Sequence, residues 1–239
     1  MGSNPAIPTS RFTVYVQPYF PEPETVPGNA ADTPYDVRLA FIKKVTWIHF
    51  WLCVVILLVG VYLPSPIPLK SAAWNAAGCW LLLSALRNLH RSPLDRLFTP
   101  IAFVGFALML AWTLQLVNPT YDAFLVLGTP IAFAAAYTAF CGRDYSFMGN
   151  FMISGIATVL FLVGLFKLKG EAWPSLGIQI AVSLGVLFFY VYDLASLLQR
   201  RRLSEGFLAA VDIFRDVLNF LTYGFRVIEH WKKFRVSRP

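Results

Sequence analysis

Seven long apolar stretches constrain this chain more than any other feature of its sequence. Runs of about 17 to 25 residues with little or no charge have the length that an α-helix needs to cross roughly 30 Å of hydrocarbon. A content of 57% hydrophobic and only 14% charged residues excludes an ordinary soluble domain. We therefore predict an integral membrane protein. The stretches lie near 45–63, 73–89, 97–117, 121–141, 148–168, 174–198 and 207–228.

The membrane segments are predicted to be helices. Strands of a membrane barrel would alternate polar and apolar residues over about ten positions, and these runs do not alternate. Helices also satisfy every backbone hydrogen bond inside the bilayer. We predict an all-α bundle of seven transmembrane helices over residues 38–230, because the connections are too short for a second domain. A basic tail follows over 231–239.

Residues 1–37 differ in kind from the rest of the chain. They contain seven prolines and an aromatic patch formed by Tyr15, Tyr19 and Phe20. We predict an extended cytosolic arm. One interpretation is a flexible tail without a role, since Pro-rich segments commonly stay disordered. The other is docking of the aromatic residues on the bundle or on a partner protein, for which the basic tail is a second candidate surface.

Basic residues give the predicted orientation. They cluster before the first helix, between the second and third, after the fourth and after the sixth, all on one side. The positive-inside rule then places the N-terminus in the cytoplasm, of either a bacterial cytoplasmic membrane or an endoplasmic reticulum or Golgi membrane. The basic tail breaks this pattern, so either the last helix does not fully cross or the tail is an exception. We expect the positive charge to face membrane lipids and not nucleic acid.

Charged residues inside the last two apolar runs predict a site. Asp212, Asp216 and Asn219 share one face of the seventh helix, because they are four and three residues apart. Asp193 lies near the end of the sixth helix, and the short connection QRRRLSEG returns the chain antiparallel. Asp193 can therefore approach Asp212 or Asp216. Such residues usually face the interior of a bundle, because a charge at the bilayer centre costs at least about 2.5 to 3.5 kcal/mol.

A close pair of carboxylates in a medium of low dielectric constant cannot ionise twice at low cost. We expect the pair to hold one proton near neutral pH and so to act as a proton sensor. Arg87, near the cytoplasmic end of the second helix, is placed to move from one carboxylate to the other. The alternative is a static salt bridge between Arg87 or Arg215 and an aspartate.

A metal site and an enzyme active site are both poorly supported. His49 and Cys53 are four residues apart and could bind a metal, or His49 a tetrapyrrole, but no second pair accompanies them. We interpret His49 as a polar residue near the membrane interface. The sequence contains no H-E-x-x-H, G-x-S-x-G or Gly-rich phosphate loop. We predict a protein that is not an enzyme and holds no cofactor.

Four segments resemble the transmembrane Bax inhibitor motif family, and the resemblance extends over most of residues 38–228. RLAFIKKVTWIHFW is similar to the block before the family's first helix, and FCGRDYSFMGNFM to its loop after the fourth. FFYVYDLASLL is similar to the Y-D signature of the sixth helix. The seventh helix is similar in FLAAVDIFRDVLNFLTYGFRVI.

The resemblance implies a seven-helix fold with a central C-terminal helix. It also implies a pair of aspartates that senses pH and gates a leak of Ca²⁺, the transported ion. Where the family has Asn and Leu, this chain has Asp212 and Arg215, which add a third carboxylate and a counter-ion that could lock the site shut. The other positions that match are the aspartate pair Asp193 and Asp216, the switching arginine Arg87, the loop acid Asp144 and the amide Asn219.

Two functions from different classes follow. The first is a pH-sensitive calcium leak. The second is a non-transporting adaptor or accessory subunit that regulates or stabilises a larger membrane complex. Arg215 favours the second, because a fixed positive charge in a pore would repel Ca²⁺. In either case we expect Arg215 to pair with Asp212 or Asp193 rather than to face lipid.

Overall fold

The computed structural model describes residues 26–63, 65–66, 72–89, 94–117 and 122–216, which are helical apart from short turns and connections. No strand occurs in these ranges, which confirms the predicted all-α class. Single 3₁₀ turns at Ala30–Asp32 and Leu203–Glu205 flank the bundle. A seventh helix, α7, begins at residue 206 and is described as far as 216. The six helices before it are α1 (Tyr35–Tyr62), α2 (Ala72–Leu89), α3 (Asp95–Val117), α4 (Asp122–Phe140), α5 (Phe147–Leu168) and α6 (Trp173–Arg200).

Five of the described helices, α1, α3, α4, α5 and α6, are long and apolar enough to cross a membrane. The apolar part of α2 is shorter and covers Ala73–Leu86. Since α7 is described over residues 206–216 alone, seven crossings stay a prediction. Large apolar side chains on the outer surface, such as Leu160 and Ile178, are about two-thirds exposed, as lipid-facing positions should be.

Local sequence explains where several helices begin and end. Pro34 precedes α1, and a proline lies in the first turn of α6. Proline has no N–H, and at this position an N–H would have no acceptor within the helix. The Ser146 hydroxyl caps α5 by accepting a hydrogen bond from the Gly149 N–H at 2.9 Å. Gly142, with φ of 62°, forms the turn after α4 that only a residue without a side chain adopts freely.

The core lies where α1, α6 and α7 meet. The buried α6 residues Leu187, Val191 and Leu194 pack against Ala209 and Ala210 of α7, whose small side chains let the two backbones approach closely. A second apolar cluster joins α7 to α1, α2 and α3. Every α7 residue from 208 to 216 is buried, in agreement with the central position expected for this helix.

The end of the predicted N-terminal arm is part of the folded domain. Helix α1 begins at Tyr35, two residues before the predicted boundary at 37. Ahead of it, residues 26–34 lie against the bundle, and Ala30 belongs to the core with a fully buried side chain. The predictions for the rest of the arm, including its aromatic patch, and for the tail over 231–239 lie outside the described residues.

Candidate functional site

Two groups of charged side chains are buried where α6 ends and α7 begins. We call the first the α6–α7 cluster; it contains Asp193, Ser196, Arg200 and Asp216. The second, the α3–α7 cluster, contains Asp95, Thr99, Arg201, Asp212 and Arg215.

Arg200 bridges the two aspartates of the α6–α7 cluster. Its Nη1 donates to Asp216 Oδ2 at 2.5 Å, and its Nη2 donates to Asp193 Oδ1 and to the Ser196 hydroxyl. Ser196 in turn donates to the Asp193 backbone carbonyl at 2.8 Å and to Asp193 Oδ1 at 3.1 Å. Asp193, Ser196 and Arg200 are three and four residues apart, so one face of α6 supplies all three.

In the α6–α7 cluster two aspartates face the one guanidinium of Arg200. Asp193 Oδ2 is buried and has no hydrogen-bond partner among the described residues. Arg200 holds both carboxylates on one guanidinium, so Asp193 and Asp216 lie near each other. A proton bound by one of them would lower the repulsion between the two carboxylates and allow a hydrogen bond between them.

Arg215 joins α7 to α3 in the second cluster. Its Nη1 donates to Asp212 Oδ1 at 2.5 Å, and its Nη2 donates to Asp95 Oδ1 at 2.7 Å and to the Thr99 hydroxyl at 2.6 Å. Thr99 donates to Asp95 Oδ1 at 2.6 Å. These charge-assisted hydrogen bonds are the stronger kind, and here they connect residues that are far apart in sequence.

Arg201 completes the α3–α7 cluster from the end of α6. Its Nε and Nη2 form a fork on the Asp212 carboxylate at 2.5 and 2.9 Å, and its Nη1 reaches Asp95 Oδ2 at 3.2 Å. Burial alone would lower the pKa of Arg201, but the Asp212 and Asp95 carboxylates raise it above its usual value. Among the described residues, the guanidiniums of Arg201 and Arg215 face the carboxylates of Asp95 and Asp212, and Glu205 lies 3.9 Å from Arg201 at the edge of the cluster.

The structure separates the predicted site residues into two sets. Asp193 and Asp216 meet, as the sequence predicts. Asp212 and Arg215 pair with each other in the α3–α7 cluster, so the expected contact of Arg215 is with Asp212 and not with Asp193. Asp95 and Asp212 hold the guanidinium of Arg215, and its effect as a counter-ion that locks the site shut stays a prediction.

Three further predicted residues lie away from this contact or outside the described part of the chain. Arg87 is on α2, but its side chain is outside the described residues, as is Asn219. Their roles stay predictions. Asp144 lies exposed in the turn between α4 and α5, where its backbone N–H donates to the Cys141 carbonyl at 3.2 Å.

The arginine that contacts the aspartate pair, Arg200, is not among the residues predicted for the site. It belongs to the basic residues after the sixth apolar run, from which the sequence predicts only the orientation. The available signal was its position seven residues after Asp193, which is two turns along the same helical face. Asp95 was also missed, because nothing local in the sequence shows which helix faces Arg215.

His49 lies inside the bundle and faces neither lipid nor solvent. Its position near the membrane interface stays a prediction, because burial against other helices does not fix its depth in a bilayer. Its ring is almost fully buried between the rings of Tyr190 and Phe214, with centroids 5.1 and 4.7 Å away, because this face of α1 packs on α6 and α7. Cys53 Sγ lies 3.9 Å from the ring nitrogens. Within the described ranges, no group of three or more His, Cys, Asp or Glu side chains is placed to hold a metal.

Comparison with known proteins returns relatives of one kind. The Golgi anti-apoptotic protein of vaccinia virus (strain Lister) is 25% identical over 223 residues, which cover 84% of this chain and 90% of the viral protein. Protein lifeguard 4 of Mus musculus is 28% identical over 174 residues, 69% of each chain. These relatives support a Bax inhibitor-like family, at low identity. No protein-family model and no solved structure matches the chain.

The similarity to these relatives agrees with the placement of the site. The segments that carry the resemblance include the ends of α6 and α7 that supply Asp193 and Asp216. At such low identity to Bax inhibitor-like relatives, divergence at Asp212 and Arg215 is expected. In this chain that pair is used for a separate connection to α3.

Proposed function

We propose that the protein is a Bax inhibitor-type, anti-apoptotic membrane protein that conducts a pH-dependent leak of calcium through the bundle. The α6–α7 cluster is its proton sensor. The single observation that carries this proposal is the buried Asp193–Arg200–Asp216 arrangement, in which one guanidinium bridges two carboxylates and Asp193 Oδ2 lacks a hydrogen-bond donor among the described residues. The relatives' anti-apoptotic name supports the cellular role.

The charge of the cluster explains how a proton would act. With the cluster ionised, Arg200 is attracted to both carboxylates and holds the ends of α6 and α7 together. A proton on one carboxylate weakens that attraction and replaces part of it with a carboxyl–carboxylate hydrogen bond. The equilibrium between two packings of α6 and α7 then depends on pH. Tyr192 and Asp212 are further ionisable groups within the electrostatic reach of the cluster.

The membrane and orientation are part of the proposal. The vaccinia relative is named for the Golgi, and a Golgi or endoplasmic reticulum membrane fits the distribution of basic residues. We place the N-terminus, and with it the described end of α6, on the cytoplasmic side. The sensor would then respond to cytoplasmic pH.

The adaptor hypothesis remains the second candidate, on different evidence. The argument from a fixed positive charge at Arg215 no longer supports it, because Asp95 and Asp212 balance that charge. It is favoured instead by the α3–α7 cluster, whose hydrogen bonds from Arg201 and Arg215 occupy the interior between α3 and α7. A protein closed in this way could act through its partners alone.

Calcium flux into liposomes that contain the purified full chain distinguishes the two functions. We expect flux above that of empty liposomes, with a rate that changes between about pH 5 and 8. Asp193→Asn and Asp216→Asn should each abolish the pH dependence. Asp122→Asn is the matched control, since Asp122 pairs with Lys169 at 2.6 Å at the opposite end of α4 and α5. Absence of flux, together with stoichiometric co-purification of a partner from cells, would favour the adaptor.

A further inference from the structure

Residues 26–33, which we call the N-terminal strap, lie across the end of α6. The Val26 N–H donates to the Gln199 carbonyl at 3.1 Å, and the Ala30 N–H donates to the Arg201 carbonyl at 3.0 Å. Arg202 Nε donates to the Pro27 carbonyl at 3.3 Å. The strap is therefore bonded to the residues on both sides of Arg200.

These bonds satisfy a general need of helix ends. The last carbonyl groups of an α-helix have no N–H donor within the helix, and the end frays unless other groups supply one. Two N–H groups of the strap meet this need at Gln199 and Arg201. The backbone from which the Arg200 side chain extends is thus held from outside the helix.

The strap has a defined shape of its own. Ala30 is fully buried and packs with Phe41 of α1 and Leu197 of α6. The Asn29 side chain accepts a hydrogen bond from the Asp32 N–H at 3.1 Å and so closes the turn at Ala30–Asp32. The Thr33 hydroxyl donates to the Ala30 carbonyl at 2.7 Å. Because the strap is anchored in this way, its displacement would change the contacts of the end of α6 that it covers.

We infer that the N-terminal strap is a regulatory element, which holds Arg200 where it bridges Asp193 and Asp216, and that release of the strap loosens α7. The regulatory meaning of this inference rests on the proposed function of the α6–α7 cluster. The coupling itself is a property of the fold and can be measured without calcium. Any factor that displaces residues 26–33 would act on the sensor from outside the membrane.

Two substitutions at one position isolate the strap's hydrogen bond. Val26→Pro removes the N–H that donates to Gln199, whereas Val26→Ala shortens the side chain and keeps the N–H. Ala30→Trp is a second, stronger variant, because a fully buried alanine leaves no space for an indole. Its control is Ala40→Trp, which adds the same bulk at an exposed position of α1.

Amide hydrogen exchange of the full chain in lipid nanodiscs is the readout, over residues 197–205 and 206–216. Val26→Pro and Ala30→Trp should speed exchange at the end of α6 by roughly tenfold, the factor expected for the loss of about one hydrogen bond. Val26→Ala and Ala40→Trp should not. Val26→Pro should also speed exchange over 206–216, and this second effect should disappear in an Arg200→Gln background, because Arg200 carries the coupling.

The same proteins separate failure of the inference from failure of the proposed function. Unchanged exchange in Val26→Pro and Ala30→Trp, or acceleration over 206–216 that is equal with Arg200 and with Gln at 200, would overturn the regulatory strap. A wild-type protein without calcium flux would reject the proposed function, while the exchange data would still decide whether the strap acts on α7 through Arg200.

Discussion

Removal of Arg215 tests the assignment of the α3–α7 cluster. Arg215→Leu deletes three charge-assisted hydrogen bonds, to Asp212, Asp95 and Thr99, and leaves Arg201 as the guanidinium that contacts both buried carboxylates within the described part of the chain. Arg215 and Asp212 are both about 2% exposed, so solvent screens little of this change. Loss of one partner from a buried ion pair typically costs about 3 to 5 kcal/mol. For a chain of this size that corresponds to a fall in melting temperature of roughly 6 to 20 °C.

The double variant Asp212→Asn/Arg215→Leu provides the matched comparison. It removes one charge of each sign, keeps Arg201 opposite Asp95, and introduces the Asn and Leu that the family pattern carries. We expect most of the lost stability to return, so that the double variant is more stable than Arg215→Leu alone. The assay is thermal unfolding in detergent, followed by tryptophan fluorescence, for the wild type, both single variants and the double variant.

Additivity would refute this reasoning. If the losses of stability of the two single variants added up in the double variant, Asp212 and Arg215 would not be coupled. The contact between them would then contribute nothing to the stability of the fold. The reasoning would also be refuted if Arg215→Leu melted at the wild-type temperature, because a buried carboxylate that loses its cation must lower the free energy of unfolding.

Two other predictions follow from the described contacts. Arg200→Gln removes the cation of the α6–α7 cluster, so the pH midpoint of calcium flux should move upward by about one to three units, and an unchanged midpoint would show that Arg200 is not the counter-ion. Asn150→Leu breaks the buried hydrogen bonds that join α5 to Thr138 of α4 and to Tyr145 of the connection, and the bond from Ser154 within α5, and should destabilise the bundle by about 0.6 to 1.7 kcal/mol. The exposed control Met148→Leu should have no effect on thermal unfolding.

The positions of the helices could be predicted well because a bilayer accepts few structures. Their ends were harder to predict. Helix α1 begins at Tyr35, ten residues before the apolar run that predicts it, because Lys43 and Lys44 interrupt the hydrophobicity while Phe41 and Ile42 are buried. Hydropathy measures the mean of a window, and it cannot detect an amphipathic extension of this kind.

The aspartate pair could be predicted, but its surroundings could not. Helical periodicity and a short connection bring Asp193 and Asp216 together without knowledge of any other helix. The contact of Arg215 with Asp95 joins residues 120 positions apart and depends on how α3 packs against α7. Periodicity shows which residues of a helix share a face, and it gives no information about which helix that face contacts.

The distance between α2 and the start of α7 as a function of pH tests the central claim most directly. Spin labels on cysteines at Leu81 and Ser204, both exposed, would report it in a protein whose native cysteines are replaced. We predict a shift in the distance distribution between about pH 5 and 8 in the wild type, and none in Asp193→Asn. A wild-type distance that is constant over this range, or a shift that persists in Asp193→Asn, would contradict the sensor and leave the aspartates as static links between helices.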